Sequence, residues 1–190
     1  MITNIYVLIC ICVFVYIHFF NKDVDKLSCV LRIGAFYPPQ IRERNQYWRF
    51  LTCHFIHIDF LHLICNMYGL YYLGHFFETL LGTIPYILLI IMSMLLSAML
   101  CYSAAEIASQ YDYTVTYGAS GVVFGFFGAI CALGFLLGGV YKELFMGYLN
   151  VIVINLLYTF FNKHVSKMGH IGGFIGGIAG IIILLAFKMI

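Results

Sequence analysis

Gly118-Ala119-Ser120-Gly121-Val122-Val123-Phe124-Gly125 opens an apolar run that carries no charge as far as Val140. At about 1.5 Å of rise per residue, a run of that length crosses the roughly 30 Å hydrocarbon core of a bilayer as one helix. Taken alone, a serine among glycines at the mouth of such a helix reads as a packing residue, because small side chains let transmembrane backbones approach closely. The positions of the other polar residues change that reading.

Of the 190 residues, 63% are hydrophobic and only 9% are charged, a balance that belongs to membrane proteins rather than to soluble domains of this size. The net charge of +2 points to neither a nucleic-acid partner nor an acidic ligand. The seven cysteines (Cys10, Cys12, Cys29, Cys53, Cys65, Cys101 and Cys131) are odd in number, scattered, and form no Cys-x-x-Cys pair. They read as small apolar side chains, not as a disulfide framework or a structural zinc site, and no cofactor is expected.

The runs predict an all-α membrane protein with six transmembrane helices, at Met1–Phe20, Phe60–Leu81, Ile84–Ala105, Ala119–Val140, Leu144–Phe161 and Met168–Phe187. The first run has no basic n-region and no Ala-x-Ala site, so it reads as a retained span. A single domain over residues 1–190 is expected. The long first connection, Asn21 to Asp59, mixes Lys22, Asp23, Asp25, Lys26, Arg32, Arg42, Glu43, Arg44 and Arg49 with Phe36, Tyr37 and Trp48, a composition suited to the membrane interface. The odd-numbered connections carry eight of the ten Lys and Arg residues, so the positive-inside rule places them in the cytoplasm.

Six consecutive spans alternate in direction, so spans two, four and six enter from one side. Span two opens with His62 and Asn66, span four with Ser120 and span six with His170. All four side chains therefore lie at one shallow depth below one surface. Polar residues inside spans are costly, which makes them functional candidates. Small residues supply lateral proximity: Gly121, Gly125, Gly128 and Ala132 form a stripe on span four, and Gly173, Gly177 and Gly180 follow His170 on span six. Gly172-x-x-x-Gly176-x-x-x-Gly180 is a further close-packing pattern. Packing through these stripes brings Ser120 and His170 within hydrogen-bond reach.

A serine hydroxyl becomes a nucleophile when a histidine removes its proton. No Asp or Glu lies inside a span beside His170, so the arrangement is a dyad. The first turn of span four offers unpaired backbone N–H groups, and His62 and Asn66, four apart on one face, add side-chain donors for an oxyanion.

Taken together, the chain resembles the rhomboid intramembrane serine proteases. The likeness rests on Trp48-Arg49, His57, His62-x-x-x-Asn66, Gly74-x-x-x-Glu78, Gly118-Ala119-Ser120-Gly121, and Gly169-His170 with Gly173 and Gly177, in that order. It covers about residues 48–180. The resemblance implies a six-helix core with the peptidase part at about residues 48–187. It further implies Ser120 as nucleophile, His170 as general base, and His62, Asn66 and the Ser120 N–H as the oxyanion hole. Trp48, Arg49, His57, Gly74, Glu78, Gly118, Gly121, Gly173 and Gly177 are implied as structural support. The implied partners are the lipid bilayer and single-pass membrane proteins, which enter past span five and are cut within or beside the membrane. The family topology opens the site to the non-cytoplasmic side, opposite to the charge count, and a cytoplasmic membrane is the expected location. Phe124 stands where some members carry a tyrosine stacked on the histidine. The alternatives are an inactive relative that binds or escorts membrane proteins, a transporter with a polar midplane site, and a metal site built from His54, His57 and His62 with Cys53 and Cys65.

Overall fold

A computed structural model describes residues 1–21, 25–163 and 165–190. Lys22 and Asp23, counted above among the charges of the first connection, lie outside the described residues. The helices are α1 (Ile2–Val15, continued by a π-helical turn at Tyr16–Phe20), α2 (Lys26–Ile33), α3 (Pro38–Arg44), α4 (Arg49–Thr52), α5 (Phe60–Leu81), α6 (Thr83–Ile107), α7 (Ser120–Leu137), α8 (Gly139–Phe161) and α9 (Lys167–Ala186). Five of these helical segments, α1 with its π-helical turn, α6, α7, α8 and α9, are individually long and apolar enough to span a membrane. The sixth, α5, meets that standard together with the short helical stretch Arg49–Phe55, from which it is bent by 100°. His62, Asn66, His75, Glu78 and three tyrosines dilute the apolar character of α5. The chain is a multi-pass integral membrane protein, with Leu8, Ile9, Phe135, Ile154, Ile182 and Ile183 among its outward-facing apolar side chains.

Span boundaries differ from the sequence expectation mainly at α8, which begins at Gly139 and not at Leu144. Gly138 and Gly139, with φ of +68° and +51°, turn the chain directly from α7 into α8. Lys142 and Glu143, which made this stretch look like a loop, lie inside the helix near its N-terminal end. Both side chains are exposed.

The centre of the fold is α7, 72% of whose spanning window is buried, against 11% for α8. α9 lies against both α6 and α7, and it does so with glycine on two faces. A Cβ at Gly173 or Gly177 runs into the main chain of Gly121 or Gly125 on α7, and one at Gly128 runs into the Phe174 carbonyl on α9. The second stripe has a different partner from the one the sequence suggested. Gly172 and Gly176 meet the main chain of α6 at Leu96, Met92 and Ser93, and Gly180 meets Leu89 of α6. Lipid tails offer no hydrophobic drive for helix association, so this close fit supplies dispersion contacts in its place.

At the far end of α5 from His62, Glu78 fastens α1 to the bundle. Its carboxylate accepts hydrogen bonds from Ile2 N (2.6 Å), Thr3 N (3.0 Å) and Thr3 Oγ1 (2.8 Å). Thr3 Oγ1 gives its proton to Glu78 and so accepts one from Tyr86 OH at 2.8 Å. Gly74 makes room for this junction, since a Cβ there would lie 2.7 Å from Tyr86 OH. Glu78→Ala strands two first-turn N–H donors of α1 and the Thr3 hydroxyl. It is expected to cost about 2–3 kcal/mol, seen as a lower unfolding temperature in detergent. An unchanged unfolding temperature would show the junction to be dispensable.

The first connection folds around Arg49, which is buried. Its guanidinium donates to the carbonyls of Ala35 (2.6 Å) and Leu31 (2.7 Å), to Gln46 Oε1 (2.8 Å) and to Gln40 Oε1, and it stacks on the Trp48 ring at 4.7 Å. Only an arginine has enough forked donors for four acceptors in different directions. Arg42 ties α3 to the end of α6 through Glu106 (2.9 Å) and to the connection that follows through Asp112 (2.6 Å), and Phe36 pairs with Thr116 in an antiparallel bridge.

Candidate active site

The three even-numbered spans, α5, α7 and α9, deliver their first turns to one cavity of about 750 Å³. Two of those helices are started by side-chain caps. Asp59 accepts from His62 N at 2.9 Å, and Ser166 Oγ accepts from Gly169 N at 3.1 Å. The cap residues fix where each helix begins. They therefore fix the height of His62 and Asn66 on α5 and of His170 on α9.

The start of α7 is held by main chain. Gly118 N donates to the Cys53 carbonyl at 3.0 Å, and Ala119 N donates to His57 Nε2 at 3.2 Å. Gly118 has φ of +119°, a conformation that favours glycine, and a Cβ there would lie 2.6 Å from the His62 ring. The glycine thus serves both the sharp turn and the approach of His62. Ser120 is the first residue of the helix, so its N–H has no acceptor one turn earlier within the helix.

Ser120 Oγ lies 2.9 Å from His170 Nε2. His170 is 6% exposed, and the ring of Phe124 stacks on it with centroids 4.1 Å apart and planes 16° from parallel. The aromatic face is present without a hydroxyl. The other ring nitrogen, Nδ1, lies 2.7 Å from Thr159 Oγ1 on α8. Thr159 did not emerge from the sequence reading, although the same parity count reaches it. The C-terminal end of span five lies on the side where spans two, four and six begin.

His62 and Asn66 both converge on Gly118, two residues before the serine. Asn66 also bonds to His57, its Nδ2 donating to Nε2 at 3.0 Å. His57 Nε2 therefore accepts from Asn66 and from Ala119 at once, and couples the amide to the start of α7. One N–H of the Asn66 amide is engaged in this way, and the amide has a second. His54 lies behind Gly121 and gives its Nε2 proton to the Met94 carbonyl at 3.0 Å. Among the described residues no three His, Cys, Asp or Glu side chains are grouped to hold a metal ion.

Trp48, Arg49, Gly74 and Glu78 are away from the serine, at the first connection and at the α1–α5–α6 junction. Gly121, Gly173 and Gly177 lie on the contact between α7, which carries Ser120, and α9, which carries His170.

A family model, the Rhomboid domain, matches residues 44–187. The chain belongs to the rhomboid family. It is 27% identical over 150 residues to RHOMBOID-like protein 1 of Arabidopsis thaliana, covering 77% of this chain and 36% of that protein. It is 29% identical over 147 residues to RHOMBOID-like protein 5 of the same plant, covering 75% and 46% respectively. Rhomboid-like protease 3 of Toxoplasma gondii is 26% identical over 158 residues, covering 79% and 56%. The chain spans about half or less of the length of these rhomboid relatives.

Proposed function

We propose that this rhomboid is an intramembrane serine endopeptidase that uses Ser120 and His170 as a dyad. The observation that carries the reading is the 2.9 Å approach of Ser120 Oγ to His170 Nε2, with the Ser120 N–H at the very start of α7. The Ser120 hydroxyl gives its proton to Nε2 as Oγ bonds to the scissile carbonyl carbon. The carbonyl π pair moves onto oxygen. Collapse of that tetrahedral species breaks the C–N bond, and His170 returns the proton to the leaving amine. Water then hydrolyses the acyl-enzyme by the same exchange.

His62, Asn66 and the Ser120 N–H are assigned to the oxyanion. Asn66→Ala is expected to lower kcat about 10²- to 10³-fold with little change in KM, and equal rates would remove Asn66 from this role. The substrates are transmembrane segments of other membrane proteins, reaching the cavity from the lipid past α8. The cavity is assigned to the non-cytoplasmic face. The charge count opposes this, but two of the cations on that side are internally engaged: Arg49 is buried on carbonyls and Arg42 is paired with two carboxylates.

The test is incubation of the purified, detergent-solubilised protein with a panel of single-pass substrates, alongside labelling by a serine-directed phosphonate. Cleavage with label on Ser120 supports the reading. A folded protein that cuts nothing and takes no label, beside an active rhomboid that does both, would replace it with a membrane-protein binding role.

A further inference from the structure

We propose that Thr159 of α8 is the positioning residue that sets His170 in the tautomer a base requires. The inference rests on the protease reading above and adds a residue that the sequence pattern does not mark.

The argument is one of proton counting. Thr159 is fully buried, and its hydroxyl carries a single proton. Its Oγ1 has two neighbours, the Asn155 carbonyl oxygen at 2.8 Å and His170 Nδ1 at 2.7 Å. A carbonyl only accepts, so the Thr159 proton goes to Asn155. Oγ1 then turns a lone pair to His170, and Nδ1 must carry the ring proton. The neutral ring has one N–H, so Nε2 is left with a lone pair, and that lone pair faces Ser120 Oγ at 2.9 Å. The order of donation is Ser120 to His170 to Thr159 to the α8 backbone. It runs in the direction that proton removal from Ser120 needs.

The chain also supplies what the absence of an acid inside the spans beside His170 leaves open. When Nε2 takes the serine proton, the ring becomes a cation in a buried place. A hydrogen bond from Nδ1–H to Thr159 Oγ1 strengthens at that moment and stabilises the charged ring. Phe124 fixes the plane of the ring from one face, but stacking does not choose between the two tautomers. Thr159 chooses. It also stands on the least enclosed of the spans, so the base is held by an element separate from the α7–α9 pair that carries the dyad.

The experiment compares wild type, Thr159→Val and Thr159→Ser on one cleavable transmembrane substrate, with ring-nitrogen NMR of 15N-histidine-labelled protein. Valine keeps the shape and removes the acceptor, and serine restores it. Thr159→Val is expected to lower kcat about 10- to 100-fold, with KM within twofold and a modestly lower unfolding temperature. Thr159→Ser is expected to recover most of the rate. In the wild type the His170 signal should report the proton on Nδ1. A Thr159→Val enzyme with wild-type kcat, or a wild-type ring protonated on Nε2, would overturn the assignment. The NMR measurement stands even where the valine variant fails to fold. A wild type that cleaves nothing overturns the protease reading instead, and the tautomer result is read independently of it.

Discussion

Ser120→Ala is expected to abolish cleavage of a transmembrane substrate and to leave the fold in place. The hydroxyl is half-buried at the cavity and is hydrogen-bonded to His170, so its loss removes one bond and opens no cavity in the core. The stability cost is about 1 kcal/mol or less. The rate cost is of another order. With no nucleophile, only the oxyanion donors and substrate positioning remain, and loss of the serine in comparable enzymes costs about 10⁶-fold in kcat. His170→Ala should give a similar loss, because the two groups act as a unit. The measurement is single-turnover cleavage set beside thermal unfolding of the same preparations. Full activity in Ser120→Ala would sink the mechanism outright.

The second large effect falls on stability. A Cβ at Gly177 runs into the Gly125 carbonyl, and the atoms it meets are all main chain. No rotamer change relieves such a clash, so α7 and α9 must separate. Gly177→Val is expected to cost more than about 4 kcal/mol, at the extreme of single substitutions, and to lose activity through the same displacement. Gly147→Ala is the control. Gly147 is an exposed glycine of α8 with open space around it, and alanine there gains helix propensity of about 1 kcal/mol or less. Thermal unfolding in detergent separates the two. Equal stability of Gly177→Val and the native chain would mean that the helices do not meet as described.

Much of the fold is legible in the sequence because lipid imposes few solutions. Long charge-free runs become helices, and alternation of direction then orders their ends. That is enough to set His62, Asn66, Ser120 and His170 at one depth. It does not give rotation about each helix axis. Hence the sequence reading packs both glycine stripes of α9 against α7, whereas the second stripe meets α6. The interior of the first connection was also hidden. By composition Arg49 is one more interface cation and the resemblance marks it as structural support, but its partners are carbonyls at Leu31 and Ala35 whose positions no local pattern predicts. Thr159 was overlooked for a related reason. A threonine in an apolar helix ordinarily bonds back to its own helix, which Thr159 does through Asn155. Its second contact depends on how α8 meets α9.

The join between α7 and α9 has a consequence for how the protein tolerates its surroundings. Where two helices touch through side chains, thickness, temperature and neighbouring lipids shift the spacing by repopulating rotamers. Here main chain rests on main chain at Gly121–Gly173 and Gly125–Gly177, and there are no rotamers to repopulate. The spacing of the helices that bear Ser120 and His170 is in effect a dimension of the peptide backbone. α1 and α8 are the least buried of the long apolar helices, and the stiff contact lies between α7 and α9.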